Sequence, residues 1–142
     1  LAMSQVIRGY SRILADYRQT LTQRNALLNQ LQEFGGDADQ LNYWDELLIE
    51  KGSDLIFDRI QAVQQIERIA ANTHRELTRG GSILRLSYQP SYDPLPETPG
   101  QISLPLEDPV DRGSITIEAI RQGYAQRLVE QRHVDISRGV TT

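Results

Sequence analysis

The sequence predicts a mainly α-helical protein: a long antiparallel helical hairpin and a further helix, with one or two short β-strands and a proline-rich loop. Two long stretches with heptad-spaced apolar residues, joined by a short glycine-containing segment, predict the hairpin. All six prolines lie between residues 90 and 109, which predicts a loop because proline breaks helices. With 142 residues, the chain has the length of one domain, or of one piece of a larger one.

The first helix is predicted over residues 4 to 33. Two neighbouring lines of apolar residues recur at seven-residue steps: Val6, Ile13, Leu27 and Phe34, with Thr20 filling the gap, and Ile7, Leu14, Leu21 and Leu28. A third line lies between them and consists of Tyr10, Tyr17, Arg24 and Leu31. The stripe is therefore broader than a two-position coiled-coil seam, and a helix of roughly 45 Å needs a partner along most of its length.

The second helix is predicted over residues 40 to 78, after the segment FGGDADQ. Gly35 and Gly36 can adopt the left-handed conformation that ends a helix, and Asp37 or Asp39 can cap the next one. The short connection implies that the two helices are antiparallel neighbours.

A break of the second helix near Gly52 remains an open alternative, because glycine inside a helix lowers helix stability by about 1 kcal/mol. If the turn centres near Gly36, three pairs of residues are expected to face each other: Leu21 with Gly52, Tyr17 with Ile56, and Arg24 with Ile49.

Alternation of apolar and polar residues predicts a strand over residues 82–89. Residues 90–112 are predicted to form the proline-rich loop, with at most a short extended segment at 101–104. A last helix is predicted over residues 114–131, after which HVDISRGVTT leaves it; its inner face carries Ile117, Ile120, Tyr124 and Leu128. Because one strand needs a pairing partner, the pattern suggests that a piece of sheet lies elsewhere.

Composition argues against several classes of function. The formal net charge of −4 disfavours a protein whose whole surface binds phosphate, and the absence of cysteine excludes disulfides and cysteine-based metal sites. No stretch of the sequence has the length and apolar character of a membrane span, so we expect no membrane association. The absence of cysteine fits the cytoplasmic location that we expect.

No catalytic, cofactor-binding or metal-binding residue is predicted. A phosphate-binding P-loop requires G-x-x-x-x-G-K-[ST], whereas the only lysine, Lys51, precedes its glycine in EKGSD. His74 and His133 lie far apart and lack metal-ligand spacing, and the carboxylates are spread along polar helix faces.

Three arginines at the predicted corner between helix and strand form a candidate DNA-binding cluster: Arg75, Arg79 and Arg85. Arginine suits phosphate contacts. The alternative is that these cations are solvated and compensate the C-terminal end of the helix dipole.

Two other arginines fall on the inward stripes of the hairpin, and we expect Arg24 and Arg59 to be structural and buried. A buried arginine requires partners, and the candidate carboxylates nearest in sequence are Asp45, Glu46 and Asp58. Backbone carbonyls are another set of acceptors. Alternatively, each side chain lays its aliphatic part on the seam and places its guanidinium in water.

Several segments in this order resemble the RecF family of DNA repair proteins: YRQTLTQRNALLNQ, WDELLIEKGSDLIFDRI, HRELTRGGSILRLSYQPS, and a helix leading into DISRGVTT. QRNALL is the most specific of them, and the resemblance covers nearly the whole chain. Arg24 and Arg59 match arginines of the family.

The resemblance implies that the chain is a single helical lobe inserted in an ATPase head like those of ABC and chromosome-maintenance proteins. It implies that ATP and magnesium bind the parent protein, through motifs that these 142 residues lack. It also implies a parent that acts in DNA replication, recombination and repair. That parent binds single-stranded or gapped duplex DNA, forms an ATP-dependent homodimer, and works with RecO and RecR to load RecA.

By this resemblance the chain itself is an architectural and interaction module without enzymatic activity. Two alternatives remain open at this point: a stand-alone DNA-binding module, and a coiled-coil dimerisation module. The breadth of the apolar stripe and the short loop favour packing within one chain over dimerisation.

Overall fold

The computed structural model describes residues 2–79, 81 and 114–142, with side chains from residue 8 onward. Within these residues the chain forms three helices: α1 (Ala2–Phe34), α2 (Leu41–Thr78) and α3 (Ile117–Arg138). The mainly helical class and the hairpin are thus confirmed. The predicted strand at 82–89, the loop at 90–112 and its extended segment at 101–104 lie outside the described residues.

The hairpin turn follows the glycine and aspartate chemistry of its sequence. Gly35 and Gly36 have φ values of 68° and 136°, and the Gly35 N–H donates to the carbonyl of Leu31 at 3.0 Å. Asp37 then accepts a hydrogen bond from the Asp39 N–H at 2.9 Å and caps a short 3-10 turn, Ala38–Gln40, that leads directly into α2. The turn therefore provides hydrogen-bond partners for backbone groups at the end of α1 and at the start of the 3-10 turn.

The antiparallel register differs from the predicted one by a helical turn. Three contacts define it, each seven residues from the next on both helices: Arg24 with Asp45, Tyr17 with Gly52, and Tyr10 with Arg59. The expected pairing of Leu21 with Gly52 is wrong, because Tyr17 lies there instead. The 3-10 turn already runs in the direction of α2, so the centre of the hairpin lies two residues earlier than predicted, between Phe34 and Gly35. Each residue of α1 therefore faces a residue of α2 four positions earlier than predicted.

α2 is continuous through Gly52, so the break considered there does not occur. The residue is buried, and a side chain at this position would meet Tyr17 and Tyr124. Glycine is therefore placed where two tyrosines, one from each of the other helices, approach the backbone of α2.

α3 lies against both helices of the hairpin and is longer than predicted. It continues to Arg138, seven residues beyond the predicted end, so the expectation that HVDISRGVTT leaves the helix is wrong for HVDISR and holds only for the residues after Arg138. Thr116 caps its start by accepting from the Ala119 N–H at 3.2 Å, and Gly139 closes it with φ 67°. Nothing between Gln131 and Gly139 breaks a helix, which explains the extension.

Two apolar clusters hold the three helices together. The one beside the turn contains Leu28, Leu31 and Leu41, with Leu27 and Ile136 packed against it. The one further along contains Ile56, Ile60, Ile115 and Ile120, with Phe57 and Tyr124 packed against it. Polar contacts occupy the level between these clusters, and they carry the candidate site.

Among the described residues, no helix has an apolar stretch of the length needed to cross a bilayer.

Gly52→Ala is expected to destabilise the protein by about 1–3 kcal/mol, although alanine favours helices. The added Cβ would lie 3.0 Å from Tyr124 Cζ and 3.2 Å from Tyr17 Cε2. Gly9→Ala is the matched control, because Gly9 also lies within a helix and no atom outside its own helix backbone lies within 4 Å of its Cβ position. That variant should gain about 0.5–1 kcal/mol in urea unfolding. Equal stabilisation by both changes would contradict the close approach at Gly52.

Candidate functional site

The centre of the site is the guanidinium of Arg24, which is 0% exposed. Its Nε donates to Asp45 Oδ1 on α2 at 2.7 Å, and its Nη1 donates to Asp135 Oδ2 on α3 at 2.8 Å. The same Nη1 donates to the Thr141 hydroxyl at 2.7 Å. One side chain of α1 thereby bonds both other helices and the segment that follows α3.

A second arginine extends these contacts toward solvent. Arg132 Nη2 on α3 donates to Asp45 Oδ2 at 2.7 Å and to Asn42 Oδ1 at 2.7 Å. The side chains Asp135, Arg24, Asp45 and Arg132 therefore form a chain in which negative and positive charges alternate and cancel. Such neutrality matters because an unpaired charge in a protein interior is costly.

The burial of the acids matches that of the central arginine. The Asp135 side chain is 0% exposed, whereas Arg132 is 25% exposed, so the chain of charges begins in the core and ends at the surface. Hydrogen bonds in a dry interior are electrostatically strong, but they require every partner to be present. The arrangement can fix the mutual position of three helices.

The sequence identified one of Arg24's two acidic partners. Asp45 was a candidate, but Glu46 is exposed and Asp58, half-buried, lies elsewhere. Burial, followed by the nearby Asp54, raises the pKa of the Asp58 carboxyl. Sequence reasoning missed Asp135, which lies 111 residues from Arg24. The available signal was that Asp135 follows the buried Leu128 by seven residues and so shares its face of α3.

Arg59 occupies the same heptad line as Gly52 and Asp45 but is half-buried. Its Nε donates to the Tyr10 hydroxyl at 2.6 Å, and its guanidinium carbon lies 5.8 Å from the centre of that ring. The guanidinium therefore bonds the phenol of the facing helix and lies within cation–π distance of the ring.

Between the levels of Arg24 and Arg59, two tyrosines join α1 to α3. The hydroxyls of Tyr17 and Tyr124 are 3.2 Å apart. Burial raises the pKa of the Tyr124 phenol, and the neighbouring Tyr17 adds to the increase. The phenol therefore stays protonated in the folded protein at pH values where an exposed tyrosine loses its proton.

The candidate DNA-binding arginines lie at the end of α2 far from the turn. Arg75 and Arg79 are exposed, and Arg79 ends the helix with φ 51° and donates its N–H to the Arg75 carbonyl. Arg85 lies outside the described residues, so the cluster as a whole is not described.

His74 is half-buried on the same turn, and no group of side chains suited to a metal occurs among residues 8–79, 81 and 114–142.

Similarity to known proteins extends along almost the whole chain. The DNA replication and repair protein RecF of Halothermothrix orenii is 31% identical over 140 residues, which cover 98% of this chain and 33% of that protein. RecF of Chloroflexus aggregans is 30% identical over 145 residues, covering 99% and 33% respectively. The chain belongs to the RecF family. RecF of a Synechococcus strain is 38% identical over a shorter stretch of 94 residues, 66% of this chain and 24% of that protein.

This RecF-family chain spans about one third of the length of the first two of these relatives. No protein-family model matches it, and no solved structure is significantly similar to it.

Arg24→Met is expected to lower the free energy of unfolding by about 3–5 kcal/mol, because it leaves the buried carboxylates of Asp45 and Asp135 without their shared cation. Urea denaturation followed by circular dichroism measures the change. Arg18→Met, an exposed position on the same helix, is the control and should change stability by less than about 0.5 kcal/mol. Similar small effects in both variants would show that Arg24 is solvated rather than buried.

Tyr124→Phe is expected to cost about 0.5–1.5 kcal/mol at neutral pH through loss of the bond to Tyr17. It should also flatten the loss of stability above about pH 10. There the unfolded chain releases the Tyr124 proton and the folded chain keeps it, so unfolding becomes more favourable as pH rises. Tyr43→Phe is the control, because Tyr43 is 62% exposed and its change should alter stability at neutral pH by less than about 0.5 kcal/mol. An unaltered alkaline slope in Tyr124→Phe would contradict the burial of the phenol.

Proposed function

We propose that this chain is the helical lobe of a RecF-type DNA replication and repair protein and serves as its architectural and interaction module. The similarity to RecF proteins along almost the whole chain supports this assignment. The observation that carries the architectural role is the bonding of Arg24 to α2, α3 and Thr141, since it makes the three helices one body.

The parent, on this proposal, is an ATPase with a head like those of ABC and chromosome-maintenance proteins, into which the lobe is inserted. It acts in the cytoplasm on single-stranded or gapped duplex DNA, dimerises with ATP, and works with RecO and RecR to load RecA. The lobe shapes the cleft of that dimer or offers a surface to its partners.

The residues of this chain do not fit an ATP–magnesium site. Its only lysine, Lys51, lies within α2 rather than in a loop, and its ammonium donates to Glu50 at 3.0 Å. A P-loop instead needs a lysine after a glycine-rich loop at a helix start, where backbone N–H groups bind phosphate. Nucleotide chemistry in the parent therefore belongs to other segments.

Sequencing the gene on both sides of this coding segment tests the assignment. A P-loop motif upstream and a Gly-Pro-His-Arg segment downstream are the expected results. The purified 142-residue chain should also show no ATP hydrolysis above the blank. An uninterrupted frame without either motif, or P-loop-type hydrolysis by the chain itself, would contradict the proposal.

A second role, direct DNA binding by the lobe, is favoured by the distribution of charge along the hairpin. Residues 19–58, on the turn side, carry two cations and eight carboxylates. Residues 8–18 and 59–79, which the register brings together at the other end, carry seven arginines and three carboxylates. A basic end of this kind suits phosphate, whereas the acidic turn end would repel it.

The double variant Arg75→Gln/Arg79→Gln tests this role in titrations of the chain with gapped duplex DNA at two salt concentrations. If both side chains contact phosphate, the slope of log affinity against log salt should become shallower by roughly 2. Arg138→Gln is the matched control, since it removes an exposed arginine from the last turn of α3, beside the hairpin turn. No affinity even at low salt, or equal loss in the control, would rule out binding through this end.

A further inference from the structure

Residues 139–142, which we call the exit segment, fold back along α1 after α3 ends. Gly139 adopts the left-handed conformation, and its N–H donates to the carbonyls of Asp135 and Ile136. This reversal brings Gly139 against the side chains of Asn29 and Gln32 on α1. A positive φ favours glycine, so the direction in which the chain turns is encoded at this residue.

Polar side chains on one face of α1 hold the reversed chain. Gln32 Nε2 donates to the carbonyl of Ser137 at 2.8 Å. Two turns toward the start of α1, Asn25 Oδ1 accepts from both the N–H and the hydroxyl of Thr141, at 2.9 and 2.7 Å. The exit segment therefore runs antiparallel to α1 and is bonded through its backbone as well as through side chains.

Thr142 is held from the other side by α3. Asp135 Oδ1 accepts from the Thr142 N–H at 2.9 Å and from its hydroxyl at 2.7 Å, while Oδ2 accepts from Arg24. The same fully buried carboxylate thus positions both the central arginine and Thr142. Because consecutive backbone amides are bonded to different helices, the direction of the main chain at Thr142 is fixed relative to the three-helix body.

We propose that the exit segment is a rigid joint, which makes the polypeptide after Thr142 leave the lobe in one fixed direction. This inference rests on the proposed function, because it requires that further polypeptide follows in a longer RecF-type protein. A flexible linker would leave its amides to water. Here α1 and α3 bind them, so the lobe and the following segment move together.

Hydrogen exchange of the 142-residue chain, measured by NMR, tests the joint itself. The Thr141 and Thr142 amides should be protected. Asn25→Ala should speed exchange at Thr141 at least about tenfold, because it removes the acceptor of two hydrogen bonds from that residue, and it should leave core amides such as Leu48 unchanged. Gln30→Ala, an exposed change on the same helix, is the control. Exchange at the rate of an unstructured peptide in the unaltered chain would overturn the proposal, as would unchanged protection at Thr141 in Asn25→Ala.

Spin labels in the longer protein test whether the direction is transmitted. One label replaces exposed Gln23 on α1, and the other is placed shortly after Thr142. A single narrow distance, the same with and without ATP, is expected, and it should broaden in Asn25→Ala. A broad distribution in the unaltered protein would overturn the joint. Absence of ATP hydrolysis or of DNA binding in the unaltered longer protein would instead count against the proposed function. It would not change the distance between the labels, so the two failures can be told apart.

Discussion

The structure depends on the charge pairing of one buried guanidinium, whose Nε and Nη1 are hydrogen-bonded and whose buried Nη2 has no hydrogen-bond partner among the described residues. Arg24 is fully buried, so its charge is tolerable only while two carboxylates and a hydroxyl surround it. Those partners come from α2, α3 and the exit segment, and each must lie at the level of Arg24 along the axis of α1. The need to pair this buried charge therefore fixes the relative positions of the three helices, which apolar contacts alone would not do.

The register of the hairpin agrees with this constraint along its described length. With Arg24 opposite Asp45, the next level brings Tyr17 against Gly52, and the one after it brings Tyr10 against Arg59. The same register gathers basic residues at one end of the hairpin and carboxylates at the other. The two ends of the hairpin therefore differ in the sign of their charge.

Heptad periodicity was sufficient to predict α1, α2 and their antiparallel packing, because burial of an apolar stripe is encoded locally. The predicted register of the hairpin differs from the observed one by one helical turn. The reason is that the 3-10 turn at Ala38–Gln40 shifts the point where the chain reverses, and heptad periodicity does not indicate this turn. The role of Asp135 was also missed. An aspartate in a polar segment gives no indication of burial until a distant arginine is known to face it, and only its spacing from Leu128 pointed inward. QRNALL indicated the family, and the structure gives its arginine and asparagine a physical role, since both bond the exit segment.

A double-mutant cycle between Arg24 and Asp135 measures the buried interaction on which the packing of the three helices depends. Unfolding free energies of Arg24→Met, Asp135→Leu and the double variant yield the interaction energy between the two side chains. Because both are fully buried and bonded at 2.8 Å, we expect a coupling of at least about 2 kcal/mol, with the double variant less destabilised than the two single losses combined. Additive effects, within roughly 0.5 kcal/mol, would contradict it.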